Sequence, residues 1–247
     1  MNESLNFEDK LVVSKAYDTI YLCEKRHCGT FYGFLNEHES QIIKDNVYMS
    51  EECLFWGGYP QAKRLVFGCG ESDVSSFPIS ALCFTYRNEF KLTHRDFLGS
   101  LMALGIERST IGDILVFDGQ AIVFVKTDIS SYIKQEVRKI GRVGVKISDY
   151  DSTDFSYIQK YDELSFTISS LRLDVFVCAL CNISRDKATK LIASENVTVN
   201  HQLQTNNSKM LKVGDVVTIK KYGKFVFTDN NGFSKKGRIR VLVKHFR

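Results

Sequence analysis

Residues 169–195 read SSLRLDVFVCALCNISRDKATKLIASE, and this stretch decides the fold of the C-terminal third of the chain. Two apolar stripes at helical spacing predict two consecutive helices here. The stripes consist of Leu171, Val175, Cys178 and Ala179 in the first helix and of Ala188, Leu191 and Ile192 in the second. Ser170 and Ser184 are placed as the N-caps of these helices, and the second helix is expected over 185–195.

The charge of the chain is divided unevenly between its parts. Residues 171–247 hold 15 Lys and Arg against 5 Asp and Glu, a formal charge of +10, whereas residues 1–170 have a formal charge of −6. Clustered Lys and Arg release counterions from a phosphate backbone, so this asymmetry indicates a nucleic-acid-binding module on a more acidic body. A solvated basic tail is the alternative, but alternating apolar and charged positions are typical of a folded domain.

Three cations of the second helix are candidates for ligand contact. Arg185 and Lys187 flank the apolar stripe in the first turn, and Lys190 lies further round the helix. The helix dipole opposes cations at the N-terminus, which favours a ligand-binding role over a stabilising one. The structural alternative is that Arg185 is an internal ion-pair partner of Asp174 or Asp186.

Short β-type segments at 197–200 and 213–219 follow the two helices. Together with Arg172-Leu173-Asp174, Ser184-Arg185 and Gly214-Asp215-Val216, they resemble the S4 RNA-binding domain. The resemblance implies recognition of folded RNA through phosphates and 2′-hydroxyls. The predicted RNA-binding residues of this module are Arg172, Ser184, Arg185, Lys187, Lys190, Asn200, Lys220, Lys221, Lys224, Lys235, Lys236 and Arg238.

Residues 220–227 are expected to form a hairpin, and 234–241 lead into a closing strand. Cations alternate here with Tyr222, Phe225, Phe227 and Phe233, a pattern that suits RNA. The alternative for these aromatics is an ordinary two-faced strand with apolar residues inside and Lys outside.

The middle of the chain follows the order strand, helix, strand, strand, helix, strand. The six elements are expected at 79–86, 95–104, 114–117, 121–126, 130–140 and 143–147, with a tight hairpin at Asp118-Gly119 and a cap at Thr93. This order is the split βαβ, RRM-like topology. Phe84, Tyr86 and Phe124 are candidates for base stacking, although the glycine-rich aromatic signature of an RRM is missing.

The fold class is therefore α+β, with four segments. These are an N-terminal helical and hairpin region at 1–75, an RRM-like domain at 76–150, an acidic linker at 151–168 and an S4 domain at 169–247. In the first segment, helices are expected over 8–25 and 37–48, the second starting with a capping box at Asn36 and Glu39. A hairpin-type unit is expected over 54–68.

Further motifs extend the resemblance to nearly the whole chain. They are Phe34-Leu35-Asn36, residues 55–64 (FWGGYPQAKR), residues 94–106 (HRDFLGSLMALGI), residues 111–114 (IGDI), residues 222–225 (YGKF) and residues 236–240 (KGRIR). Their combination resembles the bacterial YlmH proteins. This resemblance implies a ribosome-associated quality control factor that binds rRNA and tRNA on the large ribosomal subunit carrying peptidyl-tRNA. It also implies support of alanine tailing by the RqcH factor, and some members of the family are linked to cell division.

The remaining residue types give no catalytic constellation. Cys23-x4-Cys28 and Cys178-x2-Cys181 lack a partner pair at zinc-finger spacing, so core or free thiols are expected and neither metal nor cofactor. Seven cysteines and no apolar leader or span predict a cytoplasmic protein without a membrane contact. The sequence thus predicts a non-enzymatic RNA-binding factor, with an RNA-modifying enzyme accessory and a cell-division interaction protein as alternatives.

Overall fold

The computed structural model describes residues 5–70, 73–153, 155, 157, 161–234 and 236–246, and of Asn231 only the backbone. The chain divides into two compact units, Met1–Tyr157 and Ile158–Arg247. Helices and strands occur in both units, so the predicted α+β class is confirmed. None of the described helices is long and apolar enough to cross a membrane.

In its described residues, the first unit contains two main sheets with two helices each, and one small two-stranded sheet. Its helices are α1 (Phe7–Arg26), α2 (Glu37–Asn46), α3 (His94–Met102) and α4 (Thr127–Glu136). Its strands are β1 (Thr30–Leu35), β2 (Cys53–Trp56), β3 (Leu65–Cys69), β4 (Ile79–Thr85), β5 (Ile111–Phe117), β6 (Gln120–Lys126), β7 (Lys139–Ile140), β8 (Val143–Gly144) and β9 (Lys146–Tyr150).

The N-terminal sheet has the antiparallel order β1-β3-β2. Helices α1 and α2 pack on it through a core that includes Val13, Ile43 and Phe67. The predicted capping box of α2 is present, because Asn36 Oδ1 accepts from the Glu39 amide at 2.9 Å and the Asn36 amide donates to the Glu39 carboxylate at 2.6 Å. The predicted hairpin unit is β2 and β3, which pair with Phe55 opposite Phe67.

The middle sheet has the antiparallel order β5-β6-β4-β9. In this order the first and third strands of the βαββαβ series lie at the centre, as the split βαβ topology requires. The Thr93 cap of α3 and the hairpin at Gly119, whose φ is +75°, agree with the sequence-based expectation. The final strand lies at 146–150 instead of 143–147, because residues 139–144 form the separate small hairpin β7-β8.

The YlmH-like motifs at 55–64 and 111–114 build the junction of the two sheets of this unit. Asp113 is buried and accepts from the Tyr59 hydroxyl and the Lys63 amide, both at 2.7 Å. Gly58 has a φ of +96°, and a Cβ there would lie 2.4 Å from Phe124 Cδ1. The Tyr59 ring stacks on Phe124 with centroids 4.8 Å apart. These motif residues therefore hold the two sheets together.

The second unit is a single antiparallel sheet packed against two helices. Its helices are α5 (Leu173–Cys181) and α6 (Arg185–Ala193), and its strands are β10 (Tyr161–Ile168), β11 (Val197–Val199), β12 (Gln202–Leu203), β13 (Val216–Ile219), β14 (Gly223–Phe233) and β15 (Ile239–Phe246). The strand order is β10-β15-β14-β13-β11-β12. The core between helices and sheet includes Phe176, Ile192, Phe227 and Val243.

The predicted linker at 151–168 differs from the structure in its second half. Residues 161–168 form β10, which pairs along its whole length with β15 from Tyr161 opposite Phe246 to Ile168 opposite Ile239. Exposed and half-buried residues alternate along β10, because only one face of the strand is covered. The segment is therefore polar enough to have been predicted as a linker. The second unit thus includes a strand on the N-terminal side of residue 169.

None of the seven cysteines forms a disulfide in the structure. Cys53 and Cys69 are cross-strand neighbours with their Sγ atoms 3.0 Å apart. Among the residues that the structure describes, no group of three or more His, Cys, Asp or Glu side chains is arranged to hold a metal ion.

Candidate nucleic-acid interface

The N-terminus of α5 is fixed by the loop at 206–211. The amides of Leu173 and Asp174 donate to the carbonyls of Lys209 at 2.8 Å and Asn207 at 3.1 Å, and the Leu211 amide donates to the Leu171 carbonyl at 2.9 Å. The helix consequently begins at Leu173 with Arg172 in the N-cap position. The prediction of Ser170 as N-cap is wrong, because residues 171–174 bond to a distant segment that sequence periodicity does not reveal.

The apolar face of α5 also differs from the predicted one. Leu173, Phe176 and Val177 are buried. The predicted stripe is only partly buried at the edge of the same core, at Leu171, Val175, Cys178 and Ala179. The helix is apolar on nearly all sides, so its periodicity does not fix which face points inward.

Helix α6 begins where the sequence predicts. Ser184 is its N-cap and accepts from the Lys187 amide at 3.4 Å. Ala188 and Ile192 are buried, and Leu191 packs at the edge of the core. Lys187 and Lys190 are exposed on the outer surface of the helix, as expected.

A buried carboxylate joins the two helices. The side chain of Asp174 is 3% exposed and accepts from Arg172 Nε at 3.0 Å and Nη2 at 3.1 Å. It also accepts from Arg185 Nε at 3.0 Å and Nη2 at 2.9 Å, and from the Val175 amide at 3.0 Å. The Arg172 and Arg185 side chains are 36% and 61% exposed, so both guanidinium groups remain accessible at the surface.

The electrostatics of this group favour the ionised carboxylate. Burial by itself raises the pKa of Asp174, but the hydrogen bonds from Arg172 and Arg185 outweigh it and hold the pKa below its ordinary value. The hydrogen bonds that Arg172 itself donates to Asp174 raise the pKa of Arg172. A guanidinium has five N–H donors in a fixed plane, so donors not engaged by Asp174 are oriented by the ion pair for a further bidentate contact.

This geometry corrects the interpretation of Arg185 as a cation that only faces outward. Arg185 forms the internal ion pair with Asp174 that the structural alternative specified. The unfavourable interaction of the Arg185 charge with the helix dipole is therefore offset by the Asp174 carboxylate. The position of Arg185 in the first turn of α6 is thus no longer evidence for a ligand-binding role. The sequence reasoning missed the role of Asp174 as organiser. A useful signal was that it is the single acidic residue of an otherwise apolar helix.

The structure brings several other predicted residues to the surface of the same unit. Lys220, Lys221, Lys236 and Arg238 are exposed, and Lys224 is half-buried on β14. Arg238 Nη2 donates to the Thr167 carbonyl at 3.2 Å, so part of its guanidinium serves the sheet. Lys235 lies outside the described residues. Tyr222, in the turn at 220–222, lines the same cavity as Lys187 and Lys190 of α6. The turn and the helix therefore belong to one surface.

Asn200, which the sequence predicts as an RNA contact, stabilises a turn in the structure. Its Nδ2 donates to Asp215 Oδ1 at 2.9 Å, and its Oδ1 accepts from the Val216 amide at 2.8 Å. Its φ of +51° and the φ of +67° at His201 form the tight turn between β11 and β12. Both ends of the Asn200 amide are therefore engaged within the domain.

Of the three rings predicted to stack on bases in the RRM-like sheet, two are inaccessible and Tyr86 is half-buried. Phe84 and Phe124 are fully buried. Phe84 packs edge-on against Phe97 of α3, while Phe124 is covered by Tyr59 from the N-terminal region. The Tyr86 hydroxyl donates to the Phe117 carbonyl at 3.0 Å. Around Phe124, the sheet surface that an RRM offers to bases is thus an internal interface here.

Two family models match the chain. A model described as "Putative RNA-binding domain in YlmH" matches residues 73–154, and the S4 domain matches residues 171–217. The S4 domain predicted from the motifs is thereby confirmed.

Two similar proteins extend the match beyond these domains. Ribosome-associated protein quality control protein P2 of Bacillus subtilis (strain 168) is 25% identical over 244 residues, which cover 96% of this chain and 95% of that protein. The solved structure of cell division protein ylmH from Streptococcus pneumoniae has a TM-score of 0.51 and 24% identity, and the match covers 62% of this chain and 98% of that one. The structural likeness supports the fold alone.

Proposed function

Because the chain belongs to the YlmH family of S4-domain proteins, we propose that it is an RNA-binding factor of ribosome-associated quality control. The observation that carries the proposal is the cationic surface of the second unit. There the ion pair with buried Asp174 orients Arg172 and Arg185, while Lys187 and Lys190 stand exposed on α6. Phosphate contacts of this kind position a protein on RNA without reading its sequence.

The charge distribution supports a ligand with many phosphates. The +10 of residues 171–247 is concentrated in a folded module, and residues 1–170 are net acidic. A surface of this kind attracts a polyanion over several ångströms, and a salt-dependent affinity follows from counterion release. Folded rRNA and tRNA are the polyanions we propose as its ligands.

We further propose that the protein binds the large ribosomal subunit carrying peptidyl-tRNA and supports alanine tailing by the RqcH factor. The quality-control name of the Bacillus subtilis relative supports the process. The resemblance of the motifs to the YlmH family supports the subunit and the partner. The protein would act by binding alone, since the buried acids Asp9, Asp113 and Asp174 are each engaged by partners within the fold.

Co-sedimentation with purified ribosomal subunits tests this proposal. We expect the full chain to pellet with large subunits, more strongly when peptidyl-tRNA is present, and not with small subunits. The double variant Lys187→Ala/Lys190→Ala should bind less. The matched control Lys10→Ala/Lys25→Ala removes two exposed lysines of the first unit that lie outside the matched domains, and it should bind normally. Equal pelleting with both subunits, or none with either, would contradict the proposal.

A further inference from the structure

A cavity of about 300 Å³ opens on the surface of the second unit beside α6. It is lined by Ile183, Lys187, Lys190, Leu191, Ser194 and Tyr222. Three of these residues lie on one face of α6 at helical spacing, Ser194 is the C-cap of that helix, and Tyr222 comes from the turn between β13 and β14. The cavity therefore lies between two elements that the core of the unit holds in place.

The walls of the cavity combine apolar and cationic groups. Ile183 and Leu191 are half-buried and pack at the edge of the core, so they form an apolar wall. The Tyr222 side chain is 39% exposed. Lys187 and Lys190 are exposed at the rim. A flat aromatic group would be covered by the apolar wall and the tyrosine, with an attached phosphate beside the lysines.

The position of Tyr222 is fixed by its backbone. Its amide donates to the Ile219 carbonyl at 3.0 Å, and its carbonyl lies 3.1 Å from His245 Nε2. The His245 ring in turn stacks on Phe225 with centroids 4.4 Å apart and an interplanar angle of 15°. The backbone of Tyr222 is thereby held in place, so that only its side chain has to be ordered when a ligand stacks on the ring.

We propose that this cavity receives a single extrahelical nucleotide of the bound RNA, with its base against Tyr222 and Leu191 and its phosphates at Lys187 and Lys190. The volume lies at the lower end of small-ligand sites, which fits one nucleotide and excludes a duplex. The charge of the rim fits a phosphate. This inference rests on the proposed function, since it names what the same RNA-binding surface recognises.

The cavity has few groups that distinguish one base from another. The Ser194 hydroxyl donates to the Lys190 carbonyl at 2.7 Å and is thereby engaged by the helix. The lysines suit phosphates, and the other lining side chains are apolar apart from the Tyr222 hydroxyl. Stacking tolerates every base because each has a π-face. The site should therefore select an unpaired nucleotide by its position in a folded RNA and not by its identity.

Binding of three fluorescent RNA hairpins to the full chain tests the inference. The hairpins are identical except at one position, which is fully paired, carries a single-nucleotide bulge, or carries an abasic residue in that bulge. We expect the bulged hairpin to bind roughly 5- to 150-fold more tightly than the other two, the range that one base–aromatic stack gives. The four bases in the bulge should differ by much less than this preference.

Variants of Tyr222 assign the preference to the cavity. Tyr222→Ala should abolish it, and Tyr222→Phe should keep it because the ring remains. Tyr48→Ala, which removes an 88% exposed tyrosine of the first unit, should keep it as well. If Tyr222→Ala does not fold, Tyr222→Leu takes its place, because it keeps an apolar side chain but removes the ring and should also abolish the preference.

The outcomes separate this inference from the proposed function. Equal affinity of the unaltered protein for all three hairpins, with normal salt dependence, overturns the nucleotide site and leaves RNA binding intact. A bulge preference that survives Tyr222→Ala also overturns the assignment to this cavity. No salt-dependent binding to any hairpin would overturn the proposed function and the nucleotide site together.

Discussion

Replacement of Asp174 by Asn tests the role of the ion pair with Arg172 and Arg185. The substitution keeps the shape of the side chain but removes the charge at which both guanidinium groups converge, and it places an N–H donor against one of them. Breaking a buried ion pair costs about 3–5 kcal/mol when the remaining charge stays buried. Here the cations are 36% and 61% exposed and regain water, so we expect a loss of about 2–3 kcal/mol.

Hydrogen exchange of the full chain measures this loss locally. Amides of α5 and α6 should exchange about 30- to 150-fold faster in the Asp174→Asn variant, the rate equivalent of that free energy. Asp186→Asn is the matched control, because it makes the same charge change at an exposed position of the same unit. Exchange in Asp174→Asn no faster than in Asp186→Asn would refute this account of the ion pair.

RNA binding by the same variant gives a second readout. Removing an acid from a basic surface favours RNA by simple electrostatics. We nevertheless expect Asp174→Asn to bind RNA more weakly, because Arg172 and Arg185 lose the carboxylate that orients them. Tighter binding would mean that the orientation of these arginines contributes nothing to the interface.

Other substitutions and conditions have equally definite outcomes. Arg185→Ala should lower the free energy of unfolding in urea by only about 0.5–1 kcal/mol, since the Arg185 side chain is 61% exposed and Asp174 keeps its ion pair with Arg172. The same variant should bind RNA more weakly, and undiminished RNA affinity would exclude Arg185 from the interface. The pKa of Asp174 is depressed in the folded state. The ionised carboxylate should therefore stabilise the fold fully above its unfolded pKa of about 3.9, and this stabilisation should be lost as the pH falls through the folded pKa. Hydrogen exchange should show this pH dependence in the unaltered protein and not in Asp174→Asn. Gly58→Ala should cost about 2–4 kcal/mol in the first unit, because φ is +96° and the new Cβ meets the Phe124 ring; an unchanged melting temperature would contradict this. Burial raises the pKa of the Cys69 thiol, so iodoacetamide at pH 8 should modify it far more slowly than exposed thiols, as mass spectrometry can measure.

The sequence correctly predicted the start of those helices whose N-caps are formed by neighbouring residues. Helix α6 starts at Ser184 and α2 at the Asn36 capping box, because each cap is a short-range hydrogen bond. The βαββαβ order also follows from hairpin and cap signals between apolar runs. The start of α5 was missed, since it depends on hydrogen bonds to the loop at 206–211.

For the candidate site, the sequence predicted which residue types are present better than it predicted their contacts. The basic character of the module and the exposure of Lys187 and Lys190 follow from composition and helical spacing. The pairing of Arg185 with Asp174 joins residues 11 positions apart on two helices, and sequence alone left it as one of two alternatives. The burial of Phe124 depends on how the N-terminal region docks on the middle sheet, which no local pattern encodes.

The salt dependence of binding to purified large ribosomal subunits tests the central claim most directly, namely that the second unit holds RNA through phosphate contacts. The logarithm of the affinity should fall steeply with the logarithm of salt concentration, by roughly 0.7–0.9 for each neutralised phosphate. In Lys187→Ala/Lys190→Ala the slope should be smaller by roughly 1.4–1.8, with the fold unchanged. A nearly flat dependence, or the same slope in the variant and the unaltered protein, would contradict the account.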